Sequence, residues 1–429
     1  MSTPDSPTSN WSLPRRLGFR FAFAYFVIYS FPFPLDQLPW SDWFTGAVDQ
    51  AWHASIPWVA KHVLQLEKEI TIFPAGSGDT TFNYVQLLVH LGLALFAALI
   101  WSLLDRKRIA YESLHDGLWV YLRLVLATAM LGYGMNKVIQ LQFPPPSADR
   151  LLTSYGESSP MGLLWTFMGS STAYTAFAGA GEVLGGLLLL FRRTATLGAL
   201  VILGVMTNVV ALNFCYDVPV KLYSSNLLLM AVYIALPDAT RLLAVLITKR
   251  ATSARSAPPT LSPRWLAIGG RVLWFAFVAW TSIATVTQAF QARHVYGDLA
   301  PKAWPSGVYD VEEFIRNGRV EPPLVTNTTQ WRRLGFSALR GVAIRSMDDS
   351  VEHFGTQNDE KTNTLTFTAH RDKVELFPFH WSRPDAERLV LEGKFGTDEL
   401  IVRLRASPKQ TFFLEERGFH WINEFPLNR

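Results

Sequence analysis

The 429-residue chain has a single cysteine, Cys215. That excludes an intrachain disulfide and any CxxC redox or zinc site. Charge is scarce too: Asp, Glu, Lys and Arg make up 17 % of the residues, against roughly a quarter in an ordinary soluble domain. No haem or dinucleotide motif and no nucleophile elbow is present, so bound redox groups of those kinds and Ser/His/Asp chemistry have no sequence support. Four histidines after residue 296, His353, His370, His380 and His420, lack ligand-like spacing, and no metal site is expected. Cys215 has no histidine near it in sequence, which argues against a nucleophilic role. The net charge of +4 is small, and its positive residues sit mostly in short loops. That pattern fits membrane topology and gives no reason to expect nucleic acid as a partner.

What the chain does have is apolar residues, 49 % of the total, gathered into long runs. About seven runs are of bilayer-spanning length: 17–33, 82–104, 115–139, 172–191, 195–215, 222–242 and 265–290. Alternate loops are basic. Arg15 and Arg16 precede the first run, Arg106 to Arg108 follow the second, Arg192 and Arg193 the fourth, and Arg241, Lys249 and Arg250 the sixth. The opposite loops hold acids such as Asp36, Asp42, Glu67, Asp79 and Asp217. The positive-inside rule then places the N-terminus in the cytoplasm, and an odd number of spans places the C-terminus outside.

The stretch 118–137, LWVYLRLVLATAMLGYGMNK, organises the rest. It is long enough to span, yet it carries Arg123 inside and Tyr133, Asn136 and Lys137 at its far end. A charge at the centre of a spanning helix costs about 2.5–3.5 kcal/mol, so such residues face a bundle interior or a cavity. Polar groups also collect in the outer halves of the next spans: Glu182, Asn208, Asn213, Asp217 and Lys221, with Ser224, Ser225 and Asn226 beyond. Antiparallel neighbours would bring them to one level, where Lys137 can pair with Glu182 or Asp217. The candidate binding residues are therefore Tyr133, Asn136, Lys137, Glu182, Asn208, Asn213, Asp217 and Lys221. Two readings stand side by side: a ligand or proton site, and an ion-pair and amide network that joins helices. Asp217 and Lys221 flank a short turn with Pro219, which favours the second reading for them. Gly181 and Gly185 form a GxxxG pattern suited to close helix packing. His90 reads as a hydrogen-bonded helix contact, and Arg123 as a snorkelling side chain.

The whole chain divides into five segments. Residues 1–16 read as a disordered cytoplasmic tail. Residues 17–247 form the helical bundle. Its first outer segment, 36–81, holds an amphipathic pattern that Pro57 splits into two short interfacial helices. Asp79 or Thr80 then caps the second span. The loop 140–160 is long enough to fold over the mouth of the bundle, and 161–168 reads as a short amphipathic approach to the fourth span. Residues 248–263 are a cytoplasmic linker, and 264–291 a seventh span that tethers the C-terminal domain. That domain, residues 296–429, is soluble and mostly antiparallel β, with alternation clearest at 364–368, 388–392 and 400–405. Another strand is expected at 411–414, and the aromatic end RGFHWINEFPLNR is expected to dock. The fold class is thus a mainly α polytopic membrane protein with a C-terminal β domain.

The segments YGMNKVIQLQF, EVLGGLLLLF and DVPVKLYSSNLLLM resemble the DoxX-like membrane proteins. That family's Gly-x-x-Lys signature matches Gly134 to Lys137, and its Glu-x-x-Gly-Gly segment matches Glu182 to Gly186. The likeness covers about 118–242, and the ends GSGDTTFNY and RGFHWINEFPLNR look like a longer bacterial subgroup with the same outer β domain. The resemblance implies a four-helix core, a bacterial inner-membrane location and a periplasmic C-terminal domain. Some relatives are subunits of a thiosulfate:quinone oxidoreductase, and others assist maturation of periplasmic enzymes. Three functions stand as expectations. The first is a redox component associated with a quinone or lipid, with electrons supplied by the quinone or a partner and Lys137, Tyr133 and Glu182 at the headgroup. The second is a non-enzymatic anchor that recruits a periplasmic protein through the β domain. The third is transport of a small solute or lipid.

Overall fold

The computed structural model describes residues 10–425 apart from 71, 73–75, 254–263, 296, 298, 302–303, 338–340, 371–373, 408–411 and 419. In chain order the helices are α1 (Leu13–Ser30), α2 (Asp42–His62), α3 (Thr81–Leu104), α4 (Glu112–Val138), α5 (Ala148–Leu152), α6 (Pro160–Gly169), α7 (Thr172–Leu190), α8 (Ala195–Cys215), α9 (Lys221–Ala235), α10 (Ala239–Leu246), α11 (Arg264–Val295) and α12 (Phe413–Glu416). Among the described residues, nine strands lie between α11 and α12: β1 (Gly307–Arg316), β2 (Arg319–Val320), β3 (Trp331–Ser337), β4 (Gly341–Ser346), β5 (Val351–Asp359), β6 (Thr364–His370), β7 (Val374–Ser382), β8 (Arg388–Phe395) and β9 (Asp398–Ala406). The chain divides into two compact units. One comprises Met1–Ile139 and Ala176–Phe290, the other Gln140–Thr175 and Gln291–Arg429.

Among the described residues, six helical stretches are long and apolar enough to cross a membrane: α3, α4, α7, α8, Lys221–Leu246 and Ile268–Val295. The expected run 17–33 forms α1, which has Arg15, Arg16 and Arg20 among its 18 residues and is not one of the six. Arg20 is buried and fully engaged: its guanidinium donates to the Tyr111 hydroxyl, Ser102 Oγ and the Asp105 carbonyl. The tail expectation needs correcting at its end. Residues 1–9 lie outside the described residues, but Trp11 is buried, donates to Glu112 at 2.8 Å and meets Phe19 edge-on, and α1 already begins at Leu13. Of the expected linker, 254–263 also lies outside the described residues.

The expected helix pair in 36–81 is one helix, α2, which runs through Pro57. Proline removes a hydrogen bond and crowds the preceding turn. The face formed by Trp52, Ile56, Val59 and Ala60 nonetheless packs on Phe82 and Val85 of α3 on both sides of that break, and this burial holds the helix continuous. Thr80 caps α3 as expected, within a reciprocal pair with Asn83. Asp79 does something else: its carboxylate accepts from the Lys221 and Leu222 N–H groups at 2.7 and 3.0 Å, capping α9 from across the bundle.

The second unit is a closed β-barrel. Strands β1 and β3 to β9 pair antiparallel in sequence order, and β1 also pairs with β9, so the eight-stranded sheet has no free edge. The alternating stretches fall in β6, β8 and β9, and their inward residues Leu365, Phe367, Leu389, Leu391, Val402 and Leu404 join one core with Phe314, Trp331, Phe336 and Phe379. The loop 140–160, long enough by sequence to fold over the mouth of the bundle, forms the short helix α5. It belongs to the barrel's unit, where α5 lies on β3 and β4. Gly335 permits this contact, because a Cβ there would stand 2.8 Å from the Ala148 carbonyl oxygen. The expected strand at 411–414 is also corrected: Thr411 lies outside the described residues, and Phe413–Glu416 is helical. Of the aromatic end expected to dock, Trp421, Ile422 and Phe425 are exposed, while 419 and 426–429 lie outside the described residues.

Candidate functional site: a polar level in the helical unit

Helix α4 is the most buried of the six apolar stretches, with half of its most apolar window enclosed. It runs antiparallel to α7, and the contacts step along both helices in opposite directions. Gly134 meets Gly179 and Val183, Gly186 meets Ala127 and Met130, and Arg123 reaches Leu189. The backbones are close because glycine has no side chain: a Cβ on Gly179 would stand 2.6 Å from the Gly134 carbonyl oxygen and 2.7 Å from Lys137 Cβ. The GxxxG pair of α7 faces elsewhere, with Gly185 against Ile202 and Gly181 against Val205 of α8. Small residues on both faces therefore let α7 sit tightly between α4 and α8.

This close approach sets the ion pair. Lys137 Nζ donates to both carboxylate oxygens of Glu182, at 2.7 and 2.8 Å, and both side chains are buried. Arg123 is not a snorkelling residue. Its guanidinium is buried, donates twice to the Leu189 carbonyl at 2.6 and 2.8 Å, and lies over the Trp119 ring. A cation on the last carbonyls of α7 also complements that helix's negative end.

Other predicted residues meet in smaller groups. Asn213 donates to Ser224 Oγ at 2.9 Å. Lys221 pairs with Asp217 at 2.8 Å and lies 3.8 Å from Asp79. Tyr133 is partly exposed, its ring 5.9 Å from Lys137 Nζ and 5.8 Å from the Tyr223 ring. Two residues stay apart: Asn208 is exposed and Asn136 half-buried, and neither side chain has a hydrogen bond among the described residues. So Asp217 pairs with Lys221 and not with Lys137.

The same level holds groups that the sequence pattern did not single out. Tyr25 donates to Asn226 Oδ1 at 2.5 Å, and its ring stacks with Tyr29. Tyr29 in turn meets His90 in a T-shaped contact at 6.1 Å, and Trp52 meets it in another at 5.0 Å. His90 corrects an expectation. It is 7 % exposed, and neither ring nitrogen has a hydrogen-bond partner among the described residues. Tyr25 and Tyr29 are one helical turn apart, a spacing that puts both hydroxyls on one side of α1. That spacing is the signal that could have revealed them.

Comparison with known proteins adds one relation. No protein-family model and no solved structure matches the chain. Over 123 residues it is 33 % identical to the uncharacterized protein YwoB of Bacillus subtilis (strain 168), an overlap of 29 % of this chain and 78 % of that protein. The chain belongs to the YwoB family. That relation brings no reaction with it, so the chemistry of this YwoB-family chain has to be read from its side chains. Among the described residues, no three His, Cys, Asp or Glu side chains converge as a metal site requires. A buried imidazole with both nitrogens open can donate and accept one hydrogen bond at once. The Lys137–Glu182 pair offers less, since each charge already answers the other.

Proposed function

We propose that this YwoB-family chain is a multi-pass membrane protein whose polar level holds the head of an apolar membrane molecule, a quinone or a lipid, between α1, α3, α4 and α9. The observation that carries this reading is His90. A buried polar group without a partner costs roughly 1–3 kcal/mol, and a ligand carbonyl or hydroxyl would remove that cost. Tyr29, Tyr133 and Tyr223 supply further hydroxyls and flat faces, and the Lys137–Glu182 pair fixes α4 against α7 behind them. In this reading Lys137 acts through position and field, and the hydrogen bond to the headgroup passes to His90. The DoxX-like resemblance, a bacterial inner-membrane location, a seventh span at α1 and a β domain on the outer side belong to the same proposal. The basic alternate loops support the orientation among these, with the N-terminus inside and the β domain outside.

The test is solvent extraction and mass spectrometry on protein purified in mild detergent. One quinone or one defined lipid retained per chain in the wild type, and lost in His90→Phe, is the expected outcome. Equal retention by both proteins, or no specific molecule in either, would sink the reading.

A second reading, an anchor without an active site, is favoured by one observation: the pair is closed, bidentate and packed around glycines. It predicts that the pair can be replaced by apolar residues with no effect except on stability.

A further inference from the structure

The barrel is filled unevenly. At one end Phe336, Phe367, Phe379 and Leu404 are buried and occupy its interior. Towards the other end, where the β1–β2, β4–β5 and β8–β9 turns lie, a cavity of about 380 Å³ remains. That volume is within the range of small-molecule sites, and an eight-stranded barrel is wide enough to hold one small ligand.

The walls are aromatic. Trp331 and Phe354 are buried beneath the cavity, while Phe377 and Phe395 are only half-buried and stand 4.5 Å apart by ring centroids. Half-buried phenyl rings at an enclosed opening leave apolar surface against water, and an apolar body would displace that water favourably. The rim carries charge. Among the described residues it holds the carboxylates of Glu352, Glu375 and Asp398 and the guanidinium of Arg316; Glu352 is already engaged and Asp398 accepts from Asn317 at 2.9 Å, so Glu375 is the carboxylate that the proposal turns on. Arg316 is already engaged: it donates to the Thr329 carbonyl at 3.1 Å and pairs with Glu321 at 3.3 Å and Asp398 at 3.8 Å. Carboxylates accept hydrogen bonds and repel anions, and aromatic faces attract cations.

We propose that this end of the barrel binds one small aromatic amine, its ring against Phe377 and Phe395 and its ammonium group at the carboxylate rim. The site is independent of the polar level in the helical unit. It would give the β domain a small-molecule role in addition to any role in recruiting a protein.

Three indole compounds of matched shape test it by calorimetry on the full chain in an uncharged detergent, each titration corrected by a detergent-only blank. Tryptamine carries the cation, tryptophol is neutral, and indole-3-acetate carries the opposite charge. Tryptamine is expected to bind about tenfold more tightly than tryptophol, with indole-3-acetate weakest. Exposed Glu375 can be changed without disturbing the core, and Glu375→Gln is expected to remove most of the tryptamine advantage. Equal binding of all three compounds, tightest binding of indole-3-acetate, no saturable binding, or an unchanged preference in Glu375→Gln would each overturn the proposal.

Discussion

The two units put their charges in opposite places. In the helical unit, Arg123, Lys137 and Glu182 are inside, while Leu88, Phe96 and Leu103 of α3 face outward. In the barrel, the inside is aromatic and aliphatic and the charges form lattices outside. Glu312 meets Arg388 and Arg405, Glu313 pairs with Arg403 directly across β1 and β9, and Arg333 reaches Asp310. Such exposed pairs contribute about 0–1 kcal/mol each, because water competes for both partners. The lesson concerns the surroundings of each unit. Where the outside is apolar, apolar side chains gain nothing by hiding, and polar groups must find each other within. Where the outside is water, the ordinary ordering returns.

The comparison can be broken at its most loaded point. Lys137→Met or Glu182→Gln each leaves one buried charge or a mismatched partner, and removing one member of such a pair typically costs 3–5 kcal/mol, about what we expect here. The double variant Lys137→Met/Glu182→Met should recover most of that loss. Resistance of the purified protein to heat in mild detergent measures both effects. A double variant as weak as the singles would mean that the pair does more than join α4 to α7.

Glycines sharpen the contrast, since both units use them but for different reasons. Gly341 of β4 has φ +89°, and a Cβ there would fall on the Phe354 carbonyl oxygen, so Gly341→Ala should lower barrel stability by about 2–5 kcal/mol. Gly179 has ordinary helical geometry but no room, and Gly179→Ala should cost about 1–3 kcal/mol by forcing α4 from α7. Gly204 of α8 has no neighbouring atom within 4 Å of the position a Cβ would take, and Gly204→Ala should leave stability unchanged or slightly higher. Thermal unfolding that ranks these three variants differently would contradict the packing described above.

The smallest effect separates the units by pH. Three turn carboxylates of the barrel are held below the usual range: Asp348 by the Ser350 hydroxyl and N–H, Asp359 by the Thr362 hydroxyl and Lys361 N–H, and Asp385 by the Glu387 and Arg388 N–H groups. A carboxyl whose folded pKa lies below its unfolded value near 4 stabilises the fold above that value, and this contribution is lost as pH falls through the folded pKa. Barrel unfolding followed by near-ultraviolet dichroism should therefore be flat from pH 7 to about pH 5 and weaken below about pH 4. Asp385→Asn should make that decline shallower.

Much of the helical unit was legible because long apolar runs announce themselves. Six of the seven expected runs match the structure's apolar stretches, and Lys137 with Glu182 was among the pairings foreseen. Three kinds of feature were not legible. Arg20 lies inside the expected run 17–33 without a partner nearby in sequence, and Ser102, Asp105 and Tyr111, about 80–90 positions away, satisfy it. His90 looked partnered because buried histidines usually are. The loop 140–160 showed its prolines but not that Gly335, nearly 200 positions later, leaves space for it. Each of these depends on contacts between distant residues, which local periodicity does not carry.

The sequence by itself determined the spans, their lengths and the switch to period-two strands, because these come from the match between side-chain hydrophobicity and backbone repeat. It also marked Lys137 and Glu182 as residues driven inward, since an apolar surrounding leaves a charge in a spanning helix little other place. Only the tertiary structure decided that Lys137 closes on Glu182 while Asp217 takes Lys221, that α2 runs straight through Pro57, and that the β strands close into a barrel with one open, aromatic end. Those outcomes turn on backbone approaches of a few ångströms set jointly by glycines and their neighbours on other elements.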